Sequence, residues 1–162
     1  MSLVFFIIML PIGAQAAAMF FDEFYFHHKR GLPAWERIGH PIDSAFVLGT
    51  IAVPVFWQLT TPAAWIYGAL AAFSGILVTK DEFVHSEHCD PGEQWLHALL
   101  FVLHPLIFLS LGVLWYVRDI GGIGYALPDI ATSGLILQVQ LGFVAAFMSY
   151  QIIYWNFYRV NE

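Results

Sequence analysis

LVFFIIMLPIGAQAAAMFFDEF, residues Leu3 to Phe24, carries no charged side chain before Asp22 and is long enough to cross a bilayer as a helix. No Lys or Arg precedes this run, whereas Lys29 and Arg30 follow it. That charge order favours a retained transmembrane helix over a cleaved signal peptide. Four further apolar stretches qualify as spans: Ile42 to Leu59, Ala63 to Thr79, Gln94 to Val117 and Ala131 to Tyr154. The sequence therefore predicts an all-α integral membrane protein with five transmembrane helices in one domain, 1–162.

The composition agrees with a chain that is solvated by lipid. Hydrophobic residues make up 59% of it and charged residues only 11%, whereas soluble domains carry about a quarter charged residues. The net charge of −6 and the absence of a basic run argue against nucleic acid as a partner. Cys89 is the single cysteine, which excludes both an internal disulfide and a thiolate zinc cluster.

Five spans place the loops on alternating sides, and one side collects most of the charge. Loops are expected over Lys29 to Gly39 and over His88 to Gly92, where Gly and Pro interrupt the helices. Five of the six bases share the face of these loops, and Arg118 alone lies on the other. By the positive-inside rule this face is cytoplasmic, and the expected location is a bacterial inner membrane. All seven histidines lie on or near the same face.

A repeated spacing of histidine and glutamate indicates an internal duplication. His28, Glu36 and His40 follow the pattern H-x7-E-x3-H, and the same pattern recurs 57 residues later. We interpret the two copies as helical hairpins, about 3–59 and 63–117, related by a pseudo-two-fold axis. A fifth helix, about 131–155, follows them. Chance repetition in a crowded polar segment is the alternative interpretation.

The repeat predicts a metal site shared by four helices. Glu and His spaced i,i+4 after Pro33 and Pro91 share one helix face, and Glu82 with His85 adds a Glu-x-x-His pair. Soluble di-iron bundles present carboxylate and imidazole from four helices in the same way. Asp22 competes with Glu23, and Asp81 with Glu82, for the ligand position, and His27 ranks with His88 as an alternate. The predicted metal ligands are Glu23, His28, Glu36, His40, Glu82, His85, His88, Glu93 and His97.

His104 lies two turns beyond His97 on the same helix face and is the candidate catalytic residue of a substrate cavity. A histidine bonded to the backbone that Pro105 disrupts is the structural alternative. The fifth helix lacks ionisable residues, which suits packing or closure of the cavity. Tyr154, Trp155 and Tyr158 are typical of interfacial anchors.

These features predict a non-haem di-metal oxidoreductase, with two irons preferred and zinc as the alternative, that acts on a lipid-soluble substrate. An electron-donor protein is a possible partner. Two other functions remain open: a zinc-dependent membrane hydrolase, and a non-enzymatic subunit that binds metal or haem. The lack of ionisable residues in the outer half of the fourth helix argues against a metal transporter.

Overall fold

The computed structural model describes residues 3–121 and 127–159, and describes 80–88 by their backbone alone. Within these ranges the chain forms helices connected by short irregular segments. We number the helices α1 to α5: Leu3–Arg30, Ala34–Phe56, Thr61–His88, Pro91–Ile120 and Ile130–Tyr158. Each contains a stretch that is long and apolar enough to cross a membrane, which in α3 is Thr61–Thr79. The predicted all-α fold with five candidate membrane spans is therefore confirmed.

The helices run further than the apolar stretches predicted. The predicted loop over Lys29 to Gly39 is too long, because α1 continues to Arg30 and α2 begins at Ala34. Gly31 makes the break by adopting a positive φ of 76°, and Pro33 follows in an extended conformation before the first turn of α2. Pro91 starts α4 in a similar way after Asp90.

Helix α4 lies at the centre of the bundle and contacts each of the other four helices. Its Leu111, Leu114 and Trp115 are buried, and Ile51 of α2 and Leu137 of α5 complete the most buried part of the core. Helix α5 packs along α2 and α4 rather than standing apart from a four-helix unit. The proposed repeat of two hairpins stays a prediction.

The ends of the bundle differ in chemistry. We call the end where α1 stops and α2 and α4 begin the His-rich end, because it gathers His27, His28, His40 and His97. The other end, where α2 and α4 stop, carries Arg118 and Asp119. The apolar core lies between the two.

Candidate metal centre

A π-helical segment interrupts α1 at the His-rich end. It spans Asp22–His27, and its side chains of Asp22, Glu23 and His27 are buried. A π-helix closes its hydrogen bonds over five residues, so groups spaced i,i+5 approach the same face. His27 Nε2 accordingly lies 3.3 Å from Asp22 Oδ2, while His27 Nδ1 lies 3.3 Å from Glu23 Oε2. One imidazole thus meets two carboxylates of its own helix.

Helices α2 and α4 each contribute a glutamate from their first turn. Glu36 and Glu93 are buried, with exposed fractions of 1% and 2%, and Arg30 joins them. Arg30 Nη2 lies 2.9 Å from Glu36 Oε2 and 2.8 Å from Glu93 Oε1, and Arg30 Nη1 donates to Glu36 Oε1 at 3.2 Å. The two glutamates that occupy equivalent positions in the sequence repeat therefore meet at one guanidinium.

The histidines that follow these glutamates by four residues turn toward His27. A hydrogen bond of 3.1 Å joins His97 Nε2 to Asp22 Oδ1. The ring centroid of His27 lies 4.9 Å from that of His40 and 6.4 Å from that of His97. The i,i+4 relation predicted on each helix thus brings both imidazoles to the buried carboxylates.

Two overlapping groups of these side chains could hold a metal ion. Their ligand atoms lie within 4.8 Å of one another, and both groups include His27: Asp22, His27, Glu93, His97 and, second, His27, Glu36, His40. His27 Nε2 is buried and makes no hydrogen bond within the described structure, although it lies 3.8 Å from Glu93 Oε1. A buried nitrogen facing two carboxylate oxygens is suited to a cation between them.

The charge of this cluster also favours a cation. Among the described residues, the carboxylates of Asp22, Glu23, Glu36 and Glu93 are buried at this site, and Arg30 forms ion pairs with Glu36 and Glu93. The three imidazoles are neutral unless they take up protons. Negative charge is costly in a buried site unless it is compensated, and either protonation or a divalent cation would compensate it.

Trp155 of α5 closes the cluster on one side. It is 2% exposed, and its indole Nε1 donates a hydrogen bond of 2.5 Å to Glu23 Oε1. The expectation that Trp155 is an interfacial anchor is therefore wrong, because the side chain turns inward onto a carboxylate. Tyr158 by contrast is 75% exposed. Helix α5 adds a hydrogen-bond donor to the centre, as well as packing.

The structure places the predicted ligands in three ways. Glu23, Glu36, His40, Glu93 and His97 come together around His27 and Asp22. His28 points to α5, where its Nε2 lies 2.7 Å from the Tyr150 hydroxyl and its ring stacks on Tyr154 at 4.8 Å. The remaining three predicted ligands lie outside the described side chains: Glu82, His85 and His88.

Asp22 and His27, which the sequence left as alternates, become central through the π-helical segment. An α-helical register places residues i and i+5 about 140° apart around the helix axis, so α-helical periodicity does not predict their pairing. The burial of Trp155 was also missed. An aromatic residue near a helix end has the same pattern whether it faces lipid or protein.

A cavity of about 200 Å³ leads from this cluster into the membrane-spanning part of the bundle. Asp22, Glu23, His27, His40 and His97 form its polar end. The rest of the lining is mostly apolar and comes from α1, α2, α4 and α5, with Val78 from α3.

His104 lines the same cavity, deeper than His97. A hydrogen bond of 2.9 Å joins its Nε2 to the buried Ser74 hydroxyl. His104 therefore lines a cavity that also contains the candidate ligand His97, and its ring is held by a side chain of α3. Its catalytic role stays a prediction.

Comparison of the chain with protein-family models, with curated proteins and with solved structures finds no match in any of the three.

Proposed function

We propose that the chain is a membrane-embedded non-haem di-iron oxidoreductase that acts on a lipid-soluble substrate. One observation supports it most directly: two adjacent groups of buried carboxylates and imidazoles stand at the polar end of an apolar cavity. Carboxylate with imidazole is the ligand type of di-iron sites in helical bundles. Bound iron would supply oxygen activation.

The residues of the chain have separate tasks in this proposal. Asp22, Glu36, Glu93 and the three imidazoles would hold the metal ions. Trp155 keeps Glu23 oriented toward His27 through its indole N–H. Arg30 holds Glu36 and Glu93 together, and it competes with a cation for both carboxylates. The apolar cavity would position the substrate and exclude water from the reacting carbon.

The meeting of Glu36 and Glu93 on Arg30 supports the proposal that two repeated hairpins contribute equally. A pseudo-two-fold axis would relate these glutamates and also relate His40 to His97. The corresponding ligands of α1 and α3 would then be Glu23 or Asp22 and Glu82, with His85.

The deciding experiment is elemental analysis of protein purified without added metal, and about two irons per chain are expected. Neighbouring histidines give a matched pair of variants. His27→Ala removes the imidazole shared by both groups and should lose most of the metal, whereas His28→Ala should retain it because His28 contacts Tyr150.

Other outcomes separate the alternatives. Loss of metal in His28→Ala but not in His27→Ala would support the register of the sequence repeat instead. About two zinc ions in place of iron would favour the membrane hydrolase. Protein without metal, before and after incubation with Fe²⁺, would contradict the proposal.

We also propose that the His-rich end faces the cytoplasm, where an electron-donor protein could reach it. Cysteines introduced at Lys29 and Ile120, which are both exposed, test this orientation by labelling from outside the cell. Burial raises the pKa of the native Cys89 thiol to about 12, so this thiol should react slowly at pH 8. Labelling at Ile120 and not at Lys29 is expected, and the reverse result would invert the topology.

A further inference from the structure

The cavity has a second polar level, deeper in the bundle than the metal-ligand cluster. Gln15 of α1 precedes Asp22 by seven residues, and His104 of α4 follows His97 by seven. Because α1 ends and α4 begins at the His-rich end, both side chains lie on the side of the cluster toward the middle of the bundle. Each is two helical turns, or about 10 Å, from the cluster. Both also line the cavity.

Gln15 carries an acceptor that the protein leaves unused. The residue is buried, with 9% of its surface exposed, and its Oε1 has no hydrogen-bond partner within the described structure. Its Nε2 makes only a weak contact of 3.8 Å with the Met19 sulfur. A buried carbonyl oxygen without a donor is unfavourable, and such an atom at a cavity wall is satisfied when a bound molecule donates to it.

The cavity opens sideways toward the lipid. At the His-rich end α1 and α5 are joined by aromatic contacts, including Phe24 with Tyr150 at 5.4 Å. Further along, Phe20 of α1 and Phe143 of α5 both line the cavity, and they are 62% and 63% exposed. Side chains that line a cavity and are also exposed stand at its opening, and in a membrane span that opening faces acyl chains.

We infer that the cavity binds an aliphatic molecule with a hydroxyl group, which enters from the bilayer between Phe20 and Phe143 and donates a hydrogen bond to Gln15 Oε1. This rests on the proposed function and adds the class of substrate: a long-chain alcohol. The hydroxyl lies about 10 Å from the cluster. The carbon chain therefore lies along the apolar part of the cavity between the two polar levels. The end of the chain opposite the hydroxyl reaches the carboxylates and imidazoles.

Photoaffinity labelling of the intact chain in detergent tests the inference. The probe is a long-chain primary alcohol with a diazirine in the chain, and the comparison probe is the hydrocarbon with methyl in place of hydroxyl. Labelling should favour the alcohol by about tenfold, as expected for one hydrogen bond in a buried site. Labelled peptides should include Phe20 or Phe143.

Two glutamine variants provide the matched comparison. Gln15→Leu keeps the size of the side chain and removes the acceptor, so the preference for the alcohol should fall to about onefold while hydrocarbon labelling persists. Gln138→Leu makes the same change at an exposed position of α5 and should leave the preference unaltered. Val144→Trp fills the cavity and should reduce labelling by both probes.

Equal labelling by both probes in the unaltered chain would overturn the inference, and so would an unchanged preference in Gln15→Leu. Labelling that persists in Val144→Trp, at peptides outside the cavity, would also overturn it. Metal analysis of the same preparations separates this failure from that of the proposed function. Alcohol preference without iron would contradict the di-iron proposal alone, whereas two irons without alcohol preference would contradict only the hydroxyl site.

Discussion

The two ends of the bundle both contain charged side chains, but they use them differently. At the end opposite the cluster, Arg118 and Asp119 form one balanced pair, with Arg118 Nε donating to Asp119 Oδ1 at 2.6 Å. At the His-rich end, the described residues include four buried carboxylates, of which two pair with Arg30 and two lie against His27. The first group is a single ion pair, whereas the second gathers several carboxylates at one site.

Arg118 and Asp119 both hydrogen bond the backbone around the end of α2. Arg118 donates to the carbonyls of Pro54, Val55 and Trp57, where α2 ends, and Asp119 Oδ2 accepts from the Leu59 amide at 2.5 Å. A cation at a helix C-terminus satisfies carbonyls that lack helical partners and interacts well with the helix dipole. This pair is structural, and α2 stops at Phe56 rather than at the expected Leu59.

The difference indicates what distinguishes a structural group of charges from a functional one. An ion pair whose groups also hydrogen bond the backbone around the end of α2 is typical of a structural role. The cluster around His27 has four buried carboxylates close together, a nitrogen without a hydrogen bond and a cavity beside it. A divalent cation would relieve the first two conditions.

Removal of Arg118 should have the largest effect on stability. Arg118→Met leaves Asp119 unpaired and the carbonyls at the end of α2 without a donor, so we expect a loss of roughly 2 to 4 kcal/mol. Thermal unfolding in detergent measures it. Metal content of the folded fraction should not change, and a loss of metal would break the distinction between the two ends.

Arg30→Met is the matched variant at the His-rich end, and its effect should change sign with metal. Without metal the variant should be less stable, by roughly 1 to 3 kcal/mol, because Glu36 and Glu93 lose their counter-charge. Divalent metal should bind about tenfold more tightly, since Arg30 no longer competes for these carboxylates. Metal titration followed by thermal unfolding measures both effects. Destabilisation that metal does not reverse would show that Arg30 has a structural role only, like Arg118.

Trp155→Phe should have an intermediate effect. It keeps an aromatic ring but removes the donor to Glu23, which leaves a buried carboxylate oxygen without that hydrogen bond. We expect a loss of about 1 to 2 kcal/mol in thermal unfolding. Trp95→Phe is the control, because Trp95 is 78% exposed and should tolerate the change. Equal effects of the two variants would refute a specific role for the Trp155 indole.

The smallest effect is expected at Asp129, which caps the first turn of α5. Its Oδ1 accepts from the Thr132 amide at 2.8 Å, and this hydrogen bond lowers the pKa of the carboxyl. Asp129→Ala should speed hydrogen exchange at the Thr132 and Ser133 amides without altering metal content. Asp129→Asn can cap as well and should change exchange little. Because its folded pKa is lowered, the cap persists above pH 4 and weakens as pH falls through that lowered pKa.

Much of this protein follows from the order of residues along the chain. Runs of about 20 apolar residues can satisfy the hydrogen bonds of their backbone in lipid only as helices. The five spans can therefore be predicted from the apolar runs in the sequence. Glu36 with His40, and Glu93 with His97, also follow from local geometry. The i,i+4 spacing fixes one face once Pro33 and Pro91 start the helices.

Contacts between distant residues required the tertiary structure. Arg30 reaches Glu93 across 63 residues, Trp155 reaches Glu23 across 132, and the π-helical segment brings Asp22 to His27. Helical periodicity constrains residues within a few turns of one another, but says nothing of which faces of two helices meet. Packing around α4 decided those faces, because burial of a carboxylate is tolerated only where a donor or cation from another helix can reach it.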